Sequence, residues 1–176
     1  YTLSLHDALP ICKNCIEGSK IEVKKLSDIL IEDFAIDKKS IDVYFSGNEG
    51  FHVYVYNSQF QDLGSRERSE LADYFLFNGA IPETFGMKKF KPEKYSFAEI
   101  DDKGWRGRAS KHIFGSKSKR SKVISEIISN GYTVFQQKLE NLKDVIGVKI
   151  DPNVTIDIHR IFRLPGSLNR DRKSVV

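Results

Sequence analysis

The stretch that most constrains the fold is residues 43–56, which reads VYFSGNEGFHVYVY. A short apolar segment is followed by a turn with two glycines and then by a segment of strict alternation. Side chains alternate between the two faces of a strand, so one face carries Phe51, Val53 and Val55, and the other His52, Tyr54 and Tyr56. The pattern predicts a β-hairpin with one face in the core and the other available for a binding site.

The turn of this hairpin has the composition of an anion-binding loop. Gly47 and Gly50 bracket it, which permits positive φ angles and lets backbone N–H groups approach an anion without a Cβ in the way. His52 then lies beside whatever the loop holds. A plain hairpin with a glycine-containing loop and a solvent-facing histidine explains the same residues.

A second stretch, residues 150–168, reads IDPNVTIDIHRIFRLPGSL. Val148 and Ile150, on either side of Lys149, predict a strand that delivers Asp151 at its end, after which Asn153 caps a helix over residues 154–162. Arg163 follows at the end of that helix. The stretch therefore places a carboxylate and a guanidinium within one supersecondary unit.

Together, the Ser-Gly-x-x-Gly-aromatic-His hairpin and the later Asp, Val-Thr and Leu-Pro-Gly-Ser-Leu sequence resemble the small, catalytic subunit of archaeal and eukaryotic DNA primase. The resemblance implies an α/β catalytic domain with a central mixed β-sheet flanked by helices. It also implies the synthesis of RNA primers on single-stranded DNA during replication, by two-metal nucleotidyl transfer from ribonucleoside triphosphates.

The resemblance also implies roles for individual residues. Asp151 matches the third of three metal-binding aspartates, which bind Mg²⁺ or Mn²⁺, and the nucleotide phosphates are contacted by Ser46, Gly47, His52 and Arg163. The first two aspartates of the family, an Asp-x-Asp pair, have no counterpart in this sequence, so this chain by itself is expected to be inactive. Asn48, Glu49 and Asn169 depart from the family pattern and bear on nucleotide affinity.

Both cysteines lie in the sequence Cys12-Lys13-Asn14-Cys15. From the residues alone, half of a zinc site, a redox pair and two unrelated thiols all remain open. The primase resemblance favours a structural Zn²⁺ ion, with residues 12–15 as the remnant of a Cys-and-His knob.

The two ends of the chain look foreign to it. Residues 1–11 and 171–176 are what the two strands of a common sequencing-library adapter encode, and the single methionine is Met87. We expect both ends to be adapter-derived artefacts and residues 12–170 to be an internal part of the catalytic domain.

Composition permits a nucleic-acid partner without requiring one. The chain has 28 Lys and Arg against 24 Asp and Glu, a net charge of +4, and no apolar run of the roughly 20 residues that a membrane span needs. The expected partners are single-stranded DNA template, ribonucleoside triphosphates and a primase large subunit in a heterodimer. The expected location is cytoplasmic, in association with an archaeal nucleoid, and not at a membrane.

Two other functions stay open: a repair or mobile-element primase-polymerase of the same superfamily, and a basic nucleic-acid-binding domain without catalysis.

Apolar periodicity predicts helices over residues 20–34, 65–77, 121–130 and 133–145. Between them, residues 79–120 interleave lysine and arginine with aromatic residues. Such a segment suits either a base-stacking surface for a single strand or an excursion whose aromatic side chains fold onto the core.

Overall fold

The computed structural model describes residues 2–4, 13–46, 50–90 and 95–159. Its described part contains an antiparallel sheet, six helices and two 3-10 turns, which confirms the predicted α/β class. The strands are β1 (Thr2–Ser4), β2 (Ile41–Phe45) and β3 (Phe51–Val55); the helices are α1 (Lys13–Glu32), α2 (Ser58–Gln61), α3 (Ser65–Phe75), α4 (Gly104–Phe114), α5 (Lys117–Ile146) and α6 (Pro152–Ile156); the 3-10 turns are Lys38–Ser40 and Pro82–Phe85. None of the described helices has the length and apolar character that crossing a membrane requires.

The chain divides into two compact units. Unit 1 consists of residues 1–76 and 148–176, and unit 2 consists of residues 77–147. All three described strands and the predicted nucleotide-binding hairpin belong to unit 1, whereas unit 2 is helical in its described part.

The sheet of unit 1 has the strand order β1-β3-β2, and both pairings are antiparallel. The predicted alternation along β3 is confirmed, because Val53 and Val55 are buried while Tyr56 on the opposite face is exposed. β2 begins two residues before the predicted strand. β1 lies within residues 1–11, whose adapter origin stays a prediction, and it occupies the edge of β3 that β2 leaves open.

Helix α1 packs against β3 and begins seven residues before the predicted start at Lys20. Its buried side chains, Leu26, Ile29 and Leu30, belong to the predicted apolar stripe, whereas Ile21 of the same stripe is 59% exposed. Residues 13–19 contain no proline that would end a helix, so they continue α1 in the N-terminal direction. They are mostly polar and lack an apolar stripe, which is why periodicity did not predict them as helical.

The strand predicted over residues 148–150 is wrong. These residues are not in a strand, although Val148 and Ile150 are buried and the Val148 N–H donates to the Phe75 carbonyl at 2.9 Å. Their apolar character therefore reflects packing behind α3. Burial alone does not make a strand, which also needs a neighbouring strand to complete its backbone hydrogen bonds.

The helix predicted over residues 154–162 is also wrong in its bounds. α6 spans only Pro152–Ile156, and Asp157 has extended φ and ψ angles of −73° and 106°. The Asp157 carboxylate accepts a hydrogen bond from the backbone N–H of His159 at 2.9 Å. This hydrogen bond forms a local Asx turn that competes with the backbone hydrogen bonds of a helix, and α6 ends there.

Unit 2 is built on an aromatic core between α4 and α5. The rings of Phe114 and Phe135 both meet Phe97 edge to face, at centroid distances of 6.1 and 5.8 Å. Ser110, fully buried on α4, donates to the Ala98 carbonyl at 3.2 Å. These contacts fix the segment before α4 against both helices.

Helix α5 is interrupted at Gly131, whose φ of 82° and ψ of 176° are not helical. The two predicted helices on either side of Gly131 are thereby confirmed, with the first beginning at Lys117 in place of Ser121. A positive φ angle is easy for glycine and costly for residues with a Cβ, which explains why the break falls at this residue.

Candidate active site

The hairpin between β2 and β3 is closed by two hydrogen bonds next to its turn. The Ser46 N–H donates to the Gly50 carbonyl at 2.9 Å, and the Gly50 N–H donates to Ser46 Oγ at 3.2 Å. Gly47, with Asn48 and Glu49, lies outside the described residues. The two ends of the predicted anion-binding loop are therefore held together, and the Ser46 hydroxyl has a defined position at its entrance.

His52 lies on the outer face of the sheet, directly across from Tyr44 in the β2–β3 register. It is half-buried, and its Nδ1 atom is buried. Tyr54, on the same face, meets the Tyr44 ring edge to face at a centroid distance of 5.4 Å. The sheet thus presents an aromatic surface on which His52 is the ionisable member of β3 closest to the turn.

Asp42 and Tyr44 are residues of this face that sequence reasoning did not single out. The Tyr44 hydroxyl donates to Asp42 Oδ2 at 3.3 Å. Partial desolvation and then the negative charge of Asp42 raise the pKa of the Tyr44 phenol. The period of two, applied to β2 as well as to β3, places both residues beside His52 and Tyr54.

Asp151 is the N-cap residue of α6. Its Oδ1 atom accepts hydrogen bonds from the backbone N–H groups of Asn153 and Val154 at 3.0 and 3.4 Å. The prediction that Asn153 caps the helix is therefore wrong: Pro152 occupies the first helical position, where its missing N–H costs nothing, and this moves the cap back to Asp151. Within the described residues, Oδ2 of Asp151 accepts no hydrogen bond, so one carboxylate oxygen stays available to a ligand.

Hairpin and Asp151 both belong to unit 1. β1 pairs with β3, with Ser4 opposite His52, and α6 packs against β1 and α3. Residues that are distant in sequence are therefore brought into one compact unit. Arg163, the remaining predicted phosphate ligand, lies outside the described residues.

The described residues offer few donor groups for the expected metal ions. No group of three or more His, Cys, Asp and Glu side chains that could hold a metal ion occurs among the described residues. Cys15 is exposed in the first turn of α1, not in a separate knuckle, and Cys12 lies outside the described residues. Asp151 by itself does not build a site for two divalent ions, which need several oxygen ligands.

A concave surface of unit 1 was not foreseen from the sequence. A cleft of about 500 Å³ lies between the end of α1, α2 and α3, with Phe34, Phe60 and Leu71 among its lining residues. The Tyr74 hydroxyl, at its edge, donates to Asp33 Oδ2 at 3.0 Å. The other carboxylates of its lining, Glu67 and Glu70, give the rim a negative charge, which is unsuited to a nucleotide phosphate.

Comparison with known proteins decides the family. The family model described as DNA primase small subunit matches residues 4–176. The chain belongs to the DNA primase small subunit family. A DNA primase small subunit PriS of Nitrosopumilus maritimus is 69% identical over 158 residues, which cover 90% of this chain and 42% of the relative. The relative of the same description from Cenarchaeum symbiosum is 52% identical over 165 residues, or 93% of this chain and 44% of the relative.

The primase relationship extends to more distant archaea. The DNA primase small subunit PriS of Pyrobaculum arsenaticum is 33% identical over 155 residues, which cover 88% of this chain and 40% of the relative. The chain therefore spans less than half the length of these relatives. The predicted family is therefore confirmed.

Proposed function

We propose that this chain is part of the catalytic subunit of an archaeal-type DNA primase, which makes short RNA primers on single-stranded DNA from ribonucleoside triphosphates. The observation that carries the proposal is membership of the primase small subunit family over residues 4–176. The Asp151 carboxylate, whose Oδ2 atom accepts no hydrogen bond within the described residues, and the closed hairpin beside His52 support it.

Asp151 has two functions in this proposal. Its Oδ1 atom is engaged by the N-terminus of α6, which fixes the direction of the carboxylate, and its Oδ2 atom is left to bind Mg²⁺ or Mn²⁺. Such an ion, held also by carboxylates elsewhere in the whole subunit, would neutralise charge on the reacting phosphates. The contribution of this chain is then a preoriented ligand that needs no reorganisation.

The hairpin acts on the triphosphate in this proposal. Ser46 and the N–H groups around Gly47 donate hydrogen bonds to phosphate oxygens, while His52 and Arg163 supply positive charge. The Ser46–Gly50 hydrogen bonds keep the ends of the loop closed before nucleotide arrives, which reduces the entropy lost on binding.

The remaining parts of the proposal concern the whole subunit. Cys12 and Cys15 contribute to a structural Zn²⁺ site, completed by ligands outside this chain. The subunit forms a heterodimer with a primase large subunit and works in the cytoplasm at the nucleoid. The family membership that supports primer synthesis is also the support for these assignments.

The proposal is tested with Asp151→Asn and Asp151→Ala in the full-length protein. Asparagine caps helices about as well as aspartate, so Asp151→Asn keeps the α6 cap and removes only the charge and a metal-binding oxygen. Both variants should reduce primer synthesis on single-stranded DNA by a factor of roughly 100 or more, which corresponds to about 3 kcal/mol of transition-state stabilisation. The matched control is Asp157→Asn, because Asp157 is an exposed carboxylate of the same segment that accepts the backbone N–H of His159.

The pattern of loss decides between functions. Activity lost in both Asp151 variants and kept in Asp157→Asn supports catalysis through the Asp151 carboxylate. Activity lost only in Asp151→Ala would assign Asp151 a purely structural role. Near-normal synthesis by both Asp151 variants would contradict the role of Asp151 as a metal ligand. DNA binding without any primer synthesis by the full-length parent protein would favour a non-catalytic nucleic-acid-binding domain.

A further inference from the structure

Positive charge is concentrated in unit 2. Residues 77–147 contain 14 Lys and Arg and eight Asp and Glu, a net charge of +6, whereas the rest of the chain contains 14 and 16, a net charge of −2. The predicted phosphate-binding hairpin belongs to unit 1, so its own residues contribute nothing to this excess of positive charge. A polyanion that contacts unit 2 would explain it.

Most aromatic side chains of this basic segment are structural. Phe97 and Phe114 are buried in the core of unit 2, and the half-buried Trp105 ring lies 4.8 Å from the Phe77 ring. Arg120 is likewise engaged, because it donates to the Phe97 carbonyl at 2.8 Å and pairs with Glu99 at 2.8 Å. Of the two interpretations of residues 79–120, these residues therefore fit the one in which aromatic side chains fold onto the core.

Phe90 is the clear exception and Tyr95 a partial one, because the Tyr95 ring centroid lies 5.2 Å from that of the buried Phe97. Phe90 is 88% exposed and Tyr95 is 42% exposed. Lys88 and Lys89 beside them are also exposed, and Lys89 Nζ lies 5.9 Å from the centroid of the Phe90 ring and 5.7 Å from that of Tyr132. We call Lys88, Lys89, Phe90 and Tyr95 the Phe90 patch.

The Phe90 patch borders a groove of about 460 Å³, to which Glu83, Gly86, Lys88, Tyr95 and Ser96 contribute. Two backbone hydrogen bonds hold together the segments that line the groove. The Ser96 N–H donates to the Gly86 carbonyl at 3.2 Å, and the Ala98 N–H donates to the Phe85 carbonyl at 3.0 Å. A Cβ at Gly86 would lie 1.9 Å from the Ser96 carbonyl oxygen, so only glycine permits this close approach. The one carboxylate among these lining residues, that of Glu83, accepts a hydrogen bond from the Tyr132 hydroxyl at 2.6 Å.

We propose that the Phe90 patch binds a single-stranded nucleic acid, with Phe90 and Tyr95 stacking on bases and Lys88 and Lys89 contacting the phosphates. Exposed aromatic rings next to lysines along a groove are the chemistry that single strands require, because bases of a duplex are already stacked on one another. The proposal rests on the proposed function only in identifying the strand as template.

The test is binding of a fluorescently labelled oligothymidylate of about 20 nucleotides to the 176-residue chain, measured by anisotropy at several salt concentrations without nucleotide or divalent metal. Phe90→Ala should weaken binding by roughly 5- to 100-fold with an unchanged salt dependence, because it removes stacking. Lys88→Ala/Lys89→Ala should weaken binding and reduce the slope of log affinity against log salt by about 1.4, because each phosphate contact to a single strand contributes about 0.7.

Unit 1 offers matched controls. Lys38→Ala/Lys39→Ala removes two consecutive exposed lysines, and Ile21→Ala removes an apolar side chain that is 59% exposed. Both controls should leave affinity and salt slope within about twofold of the parent chain, and circular dichroism checks that every variant is folded.

Three results would overturn the proposal: no binding by the parent chain, wild-type affinity in Phe90→Ala, or an equal loss in the unit 1 controls. A duplex of the same length should bind without sensitivity to Phe90→Ala, and equal sensitivity would mean that the ring does not stack on bases. Because binding is measured without catalysis, failure here is distinct from failure of the proposed function, which is judged by synthesis in the Asp151 variants.

Discussion

At the scale of single residues, Asp151 caps α6 and, in the proposed function, also binds a metal ion. Its Oδ1 atom satisfies two N–H groups at the start of α6, and Oδ2 accepts no hydrogen bond within the described part of the chain. The same Asp151→Ala variant that tests catalysis should therefore also lower the free energy of unfolding by about 1 kcal/mol, while Asp151→Asn should change it by only a few tenths. Denaturant unfolding of the two variants separates the cap from the charge.

A second prediction at this scale concerns pH and the exposed ion pair of Asp101 with Lys117. The hydrogen bond from Lys117, and then its charge, lower the pKa of Asp101 below its usual value. The pair's contribution to stability is therefore fully present above the unfolded-state pKa, about 3.9, and is lost as pH falls through the lowered pKa of the folded state. The difference in stability between the parent chain and Asp101→Asn should be constant from neutral pH to about pH 5 and vanish under strongly acidic conditions.

The partner residue supplies the control for this measurement. In a Lys117→Ala background, Asp101→Asn should lose most of its pH-dependent effect, with a small remainder from nearby Lys111. Because the pair is exposed, the effect should be small and should shrink further in high salt. An undiminished effect of Asp101→Asn in that background would mean that Lys117 does not hold the carboxylate.

At the scale of secondary-structure elements, two helical glycines should respond oppositely to alanine. An ideal Cβ at the buried Gly107 of α4 would lie 1.7 Å from the Asp102 carbonyl oxygen, whereas a Cβ at Gly18 of α1 would meet nothing within 4 Å. Gly107→Ala should lower the free energy of unfolding by about 1–3 kcal/mol through overpacking. Gly18→Ala should raise it by about 0.5–1 kcal/mol, because alanine is the better helix former.

Both glycine variants are measured by denaturant unfolding, with equal m-values as the check that the transition itself is unchanged. The contrast is informative because the two substitutions are chemically identical and differ only in their surroundings. A stabilising Gly107→Ala would contradict the close approach of α4 to the segment before it.

At the scale of the whole molecule, the chain joins a unit with the catalytic candidates to a basic helical unit, and it spans less than half of its relatives. Its described residues contain no cluster of three metal-binding side chains. We therefore expect the 176-residue chain to incorporate no ribonucleotide on single-stranded DNA, even with Mn²⁺. Incorporation that disappears in Asp151→Asn would show that the chain already contains a complete metal site.

That measurement needs a full-length primase small subunit as a positive control. The full-length small subunit of Nitrosopumilus maritimus, which is 69% identical over the shared region, is suitable. Primer synthesis by that protein and none by this chain, under one set of conditions, is the expected result.

Patterns that depend on neighbouring residues in the sequence were predicted well. The alternation in residues 51–56 and the helical periodicities around Leu30, Leu71 and Ile127 each follow from the geometry of one strand or one helix. The family was also recognisable, because Ser46, His52 and Asp151 stand in short motifs that need no knowledge of the fold.

What only the tertiary structure decided is where equivalent side chains go. Phe90 and Phe97 are alike in the sequence, each among lysines and other aromatics, yet one is 88% exposed and the other 4%. Ile150 has the apolar character of a strand residue but packs without a strand partner among the described residues. Burial and strand pairing depend on contacts between distant segments, so only the tertiary structure decided them. Periodicity depends on neighbouring residues, so the sequence by itself determined it.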